Sequence, residues 1–188
     1  MAQAAKTAPA DSLEANEYDG ITISLLTCGP GEEVYTLYGH TAIRICDTTR
    51  HADIVVNYGM FSFRQNFFVA RFILGLTDYM IGITSFSNFV DEYTYEGRWV
   101  YEQVLNLRQE EKKAIIAAID ENSKPENATY RYNCFYNNWT TRARDILTEN
   151  ISGKVGYAPE TWDAPSFRDM CHSKTADHRW SSFGNDLV

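Results

Sequence analysis

Three short apolar runs crowd the first third of this chain, and their spacing leaves few folds open. Ile21-Thr22-Ile23-Ser24-Leu25-Leu26 begins by alternating apolar and polar residues and then meets Cys28-Gly29-Pro30-Gly31. Alternation with period two, closed by Gly and Pro, is the pattern of a strand entering a turn. Thr41 to Cys46 and Ile54 to Tyr58 are the second and third runs, and the polar segment Asp47 to Asp53 joins them as a hairpin. His40 therefore stands at the mouth of a strand.

Helical signals follow. Val100 to Leu107 reads as a strand that leads into Gln109-Glu110-Glu111-Lys112-Lys113, an acidic first turn followed by Ala114, Ile115, Ala118 and Ile119. That pattern predicts an amphipathic helix from residue 108, broken by Lys124-Pro125. Phe135 to Glu149 predicts another helix, with Trp139, Ala143, Ile146 and Leu147 on one buried face and Ser152-Gly153 ending it. A short helix is expected around Ser166 to Ser173, and the aromatic stretch Phe61 to Leu76 is a further helix candidate. The class is α+β, an antiparallel sheet with packed helices. The aromatics of 58–72 and 86–101 are expected to serve mainly as core and groove lining rather than as a membrane-docking face.

Composition narrows the possible partners. The 188 residues, 44% apolar and 14% aromatic, suffice for one domain with a full core. A formal charge of −8 leaves no clustered basic surface for nucleic acid. The longest apolar stretch, Phe67 to Leu76, is cut by Arg71, so no membrane-spanning run exists. Residues 1–18 lack hydrophobic periodicity and read as a flexible leader before a single domain at 19–188. Ala2-Gln3-Ala4-Ala5 resembles the surroundings of a signal-peptidase site, which suggests export. Cys28, Cys46, Cys134 and Cys171 have no zinc-site spacing, and neither a metal nor another cofactor is expected.

A histidine at a strand start, a polar residue on the next strand and a helix N-terminus facing both make the geometry of a thiol hydrolase. The helix end lowers a thiol's pKa, and the imidazole takes its proton. His40 and Asn57 fit the first two places, with Asn57 holding the imidazole in one tautomer. On pattern alone a histidine beside glycine is more often structural, and an asparagine before Tyr58-Gly59 is more often a turn residue.

Several blocks in order shift that balance. Thr27-Cys28-Gly29-Pro30-Gly31-Glu32, Tyr38-Gly39-His40-Thr41-Ala42-Ile43-Arg44, Asn57-Tyr58-Gly59-Met60-Phe61, Tyr95-Glu96-Gly97-Arg98, Tyr132 to Asp145 and Trp180 to Leu187 resemble the periplasmic domain of the Bacteroidetes lipoprotein N-acyltransferase (Lnb) family. The resemblance implies a periplasmic, circularly permuted papain-like (NlpC/P60-like) domain in which the histidine strand precedes the cysteine helix. Family members usually continue into a hydrophobic membrane region that this chain lacks. It also implies acyl transfer from a phospholipid to the N-terminal amine of a lipoprotein, close to a membrane, through an enzyme thioester. His40 would act as general base and then general acid.

This chain departs from the family pattern at one position. Where the family reads Asn-Cys-Thr/Ala-Thr, this sequence has Asn138-Trp139-Thr140-Thr141. Tryptophan cannot form a thioester, and its bulk fills the space an acyl carbonyl needs. Cys134 is a poor substitute, because five residues of helix would turn it about 140° away from residue 139. Three readings stay open: an acyltransferase domain without its nucleophile, a module that binds lipoprotein, lipid or peptidoglycan, and a relative of cell-wall peptidases. Asn138 and Tyr38 join the expected substrate-binding residues, Tyr38 because two residues of extended chain would aim it with His40. Arg142 and Arg144, one turn past residue 139, are candidates for a lipid phosphate or, with Asp145, a solvated ion-paired face.

Overall fold

The computed structural model describes residues 17–33, 36–61, 77–133, 136–153, 155–156 and 165–177. Six strands, β1 (Ile21–Cys28), β2 (His40–Asp47), β3 (Ala52–Met60), β4 (Asp78–Ser85), β5 (Val100–Val104) and β6 (Thr129–Arg131), form one sheet in the order β5-β1-β2-β3-β4-β6. Every pairing is antiparallel. The helices among the described residues are α1 (Phe86–Tyr95), α2 (Gln109–Asn122), α3 (Trp139–Glu149) and α4 (Phe167–Thr175). The α+β class read from the sequence is the class observed.

The sheet is covered on both faces. Ile23, Ile43, Val56 and Tyr58 pack with Ile115 and Ile119 of α2 and with Ala143 and Leu147 of α3. Leu26, Cys28, Ala42 and Val55 point the other way and meet Phe89 and Tyr93 of α1. A fully buried side chain of this size contributes roughly 1.5–3 kcal/mol. Cover on both sides is why Leu25-Leu26, Ala42-Ile43 and Val55-Val56 are apolar pairs that interrupt a clean alternation.

Caps set the helix starts. Ser85 accepts from the Asn88 N–H ahead of α1, and Ser166 accepts from the Asp169 N–H ahead of α4. At α3 the expected start near Phe135 moves to Trp139. Asn138 Oδ1 accepts from the N–H groups of Thr140 and Thr141 at 2.9 Å each, and Thr141 Oγ1 accepts in return from the Asn138 N–H. This reciprocal cap needs Asn138 in extended backbone, which ends any helix approaching from upstream. The expected buried face is as read: Ala143 and Leu147 are buried, and Trp139 and Ile146 pack on the same core.

Other expectations meet the structure unevenly. The helix candidate at Phe61 to Leu76 lies outside the described residues from 62 onward, as do the leader up to residue 16 and Cys134. Tyr18 packs on the core, and its carbonyl accepts from the Ile21 N–H and from Lys112 Nζ. The aromatic stretch at 86–101 divides. Phe89 and Tyr93 are core, whereas Tyr95, Trp99 and Tyr101 are 94%, 50% and 71% exposed, contrary to the core-lining expectation.

Candidate active site

Backbone geometry delivers His40. Gly39 has φ +73°, and a Cβ there would stand 2.7 Å from the Cys28 carbonyl, so only glycine lets the chain fold this tightly onto the end of β1. The turn also ends the extended backbone on which Tyr38 was expected to share a direction with His40. Tyr38 sits in that turn, 37% exposed. His40 then opens β2 opposite Cys28, and Asn57 lies opposite Ala42, so alternation puts His40 and Asn57 on one face. His40 Nε2 and Asn57 Oδ1 are 2.9 Å apart. An amide oxygen only accepts, so Nε2 carries the proton and Nδ1 keeps the basic lone pair.

The start of α3 comes to the same place. Thr140 Oγ1 and Thr41 Oγ1 are hydrogen-bonded at 3.1 Å, tying the first turn of the helix to β2. Gly59, φ +102°, sits where the β3–β4 register shifts, and a Cβ on it would be 3.2 Å from the indole of Trp139. A bulge plus a missing side chain lets the helix end approach the strand. Trp139 stacks on Tyr132 at 5.6 Å between centroids, and its indole lies 5.8 Å from the His40 ring.

The surroundings keep His40 neutral. His40 is part-buried with its ring lying deep among protein atoms, so burial lowers its pKa to about 4; the hydrogen bond it donates to Asn57 opposes this and the positive charge of Arg98 adds to it. Arg98 is a residue to which sequence reading assigned no role. Its side chain is 6% exposed, it donates to the Gly29 carbonyl at 2.9 Å and to Glu96 at 2.8 Å, and it lies on the ring of Tyr93 at 4.3 Å. Tyr93 is hydrogen-bonded to Cys28, whose thiol burial pushes up to about 11, so Cys28 is a protonated core thiol beside His40 and not a nucleophile.

The expected substrate-binding residues separate. Asn138 Oδ1 is engaged in the cap. Arg142 donates from Nε to Asn137 Oδ1 at 2.8 Å and lies on the Tyr130 ring at 4.0 Å, with no carboxylate partner among the described residues. Arg144 pairs with its neighbour Asp145 at 2.6 Å on the exposed side of α3. No metal-binding group of three His, Cys, Asp or Glu side chains is present among the described residues.

A neutral base, an amide that orients it and a helix N-terminus thus converge on residue 139. A family model described as the Lnb N-terminal periplasmic domain matches residues 8–168, and the chain belongs to that family. It is therefore a periplasmic-domain sequence, and among the described residues no helix is long and apolar enough to cross a membrane. No curated protein and no solved structure matches it.

Proposed function

We propose that this domain carries the acyl-transfer apparatus of a lipoprotein N-acyltransferase in a form whose nucleophile position is filled by Trp139. The fold is a permuted papain-like one, with the histidine strand β2 ahead of the nucleophile helix α3. The observation that carries this reading is the His40–Asn57 pair, 2.9 Å apart, facing a helix whose first residue is Trp139, 5.8 Å from the imidazole. With a thiol at residue 139, Nδ1 of His40 would take the thiol proton. The thiolate would attack the ester carbonyl of a phospholipid, the lyso-alcohol would leave with that proton, and the thioester would pass its acyl group to a lipoprotein amine. Arg142, without a carboxylate partner among the described residues, is the side chain of α3 suited to the lipid phosphate.

As the sequence stands, the covalent step is absent, since an indole has no lone pair to give. Incubation of Trp139→Cys with a short-chain phospholipid, followed by intact mass, is the test. An acyl adduct labile to hydroxylamine is expected, absent from the parent and from Trp139→Cys/His40→Ala. A folded, alkylatable Trp139→Cys that never gains the acyl mass overturns the proposal. The binding-module reading would then lead, supported by the stacking of Trp139 on Tyr132, which puts paired aromatic rings beside His40.

A further inference from the structure

The two ends of the sheet present different surfaces to solvent. Because neighbours are antiparallel, β1 and β3 finish where β2, β4 and β5 begin, and His40 stands at that end. Tyr38, Tyr95, Trp99 and Tyr101 are all exposed there, and Tyr136, 79% exposed, follows β6 at the same end. Met60 and Met80, opposite each other on β3 and β4, are about half exposed beside them. The opposite end is closed by the turn Thr48–His51, whose exposed residues are all polar.

Trp99 and Tyr101 are held in place. A Cβ on Gly29 would meet the Trp99 indole at 2.6 Å, and the Trp99 carbonyl accepts from the Gly29 N–H, so the ring lies against backbone with half its surface in solvent. Tyr101 packs beside it at 5.0 Å between centroids. Ordered Tyr and Trp with an apolar body and a polar tip suit the boundary between hydrocarbon and headgroup, and Met adds soft apolar surface.

Charge selects the kind of lipid. Among the described residues at this end, Arg98 is paired with Glu96 and Arg131 with Asp78, Arg142 has no carboxylate partner, and Glu32 and Glu33 are exposed on the loop after β1, so these charges form no basic patch. Such a surface has no basic cluster to favour anionic lipid and suits zwitterionic headgroups.

We propose that this end of the domain docks on a zwitterionic phospholipid surface, with Tyr95, Trp99 and Tyr101 as anchors. The inference rests on the reading of the His40 site as one that handles a lipid ester, and it gives that site a direction of approach. Docking end-on brings His40 toward the headgroups, so an ester has a short path out of the bilayer.

Co-sedimentation with phosphatidylcholine vesicles tests it on the parent protein, where thiol chemistry plays no part. The parent should partition to vesicles. Tyr95→Ser/Tyr101→Ser should lower the partition coefficient at least about tenfold, since interfacial affinity scales with the apolar area inserted. Trp99→Ser should lower it further, but it leaves a gap at Gly29, so the double variant decides if Trp99→Ser fails to fold. Phe167→Ser/Met170→Ser, which removes exposed apolar residues of α4, should change nothing. A parent that stays in the supernatant at millimolar lipid, a double variant that binds like the parent, or binding that requires phosphatidylglycerol would each overturn the proposal. Those failures leave the thiol-trapping result at residue 139 untouched, so the two readings fail separately.

Discussion

Placing cysteine at residue 139 puts a thiol on the first residue of α3, beside His40. An unperturbed thiol has a pKa of about 8.5, so about 1% is thiolate at pH 6.5. A helix end and an imidazole that together lower the pKa by about two units raise that fraction to about half. The reactive form then increases about fiftyfold, but a less basic thiolate is also a weaker nucleophile, by roughly eightfold for a Brønsted slope near 0.45. Alkylation by iodoacetamide at pH 6.5 should therefore run about sixfold faster than for an unperturbed thiol, with its inflection near pH 6.5 in place of 8.5. The thiolate also stabilises a charged His40, so the two groups titrate as a pair and His40→Ala should move the inflection back up. Cys28 is buried with its pKa pushed up to about 11, and the parent protein, which carries the same Cys28, Cys46, Cys134 and Cys171, gives the background that intact mass subtracts. Losing a half-buried indole stacked on Tyr132 should cost about 2 kcal/mol, so the fold is checked first by circular dichroism. An inflection that stays near 8.5 in the folded variant and ignores His40→Ala would refute the convergence of base and helix end on residue 139.

Three further outcomes follow from the same geometry. His40 has a folded pKa of about 4 against an ordinary value near 6.5, so the unfolded chain binds its proton first as pH falls. Its neutral form costs nothing above pH 6.5, and stability is lost between about pH 6.5 and 4, by roughly 3 kcal/mol in all; denaturant melts should show that slope, and His40→Leu melts with the same slope would refute it. Arg98→Gln removes a buried positive charge that faces His40 together with Cys28, Asn57 and Trp139, of which none is charged at neutral pH; the imidazole pKa followed by NMR should rise, and an unmoved titration in a folded variant would exclude the electrostatic role. Gly59→Ala forces a side chain into φ +102° and against the Trp139 ring, and should destabilise by about 1–3 kcal/mol. In a Trp139→Cys background the contact with the ring should vanish while the contact with the Cβ of residue 139 and the backbone part remain, so strictly additive effects would exclude the ring contact.

Much of the sheet was legible because its strands are local in sequence. β1, β2 and β3 each hold a dense apolar run with turn chemistry between them, and their pairing follows from adjacency. α1, β4 and β6 were not read. The α1 sequence Phe86-Ser87-Asn88-Phe89-Val90-Asp91-Glu92-Tyr93-Thr94-Tyr95 is aromatic and β-branched, with poor intrinsic helicity, and it is helical because Ser85 caps it and Phe89 and Tyr93 are buried against the sheet. β6 has three residues and exists only through its pairing with β4. The false extension of α3 back to Phe135 came from apolar spacing that ignored what Asn138 and Thr141 do together.

The sequence by itself determined the class of fold and made His40 and Asn57 candidates, because both are matters of residue type and local pattern; the expectation of a cysteine where Trp139 stands came from the family resemblance. That His40 meets Asn57 and Trp139 was decided by strand register and by a helix resting on a glycine bulge, contacts between residues 17 to 99 positions apart. Tertiary structure alone made Arg98 a buried neighbour of the site and turned Tyr95, Trp99 and Tyr101 outward. Burial of a charge or exposure of a ring depends on what packs over it, and a side chain's own chemistry does not encode its neighbours.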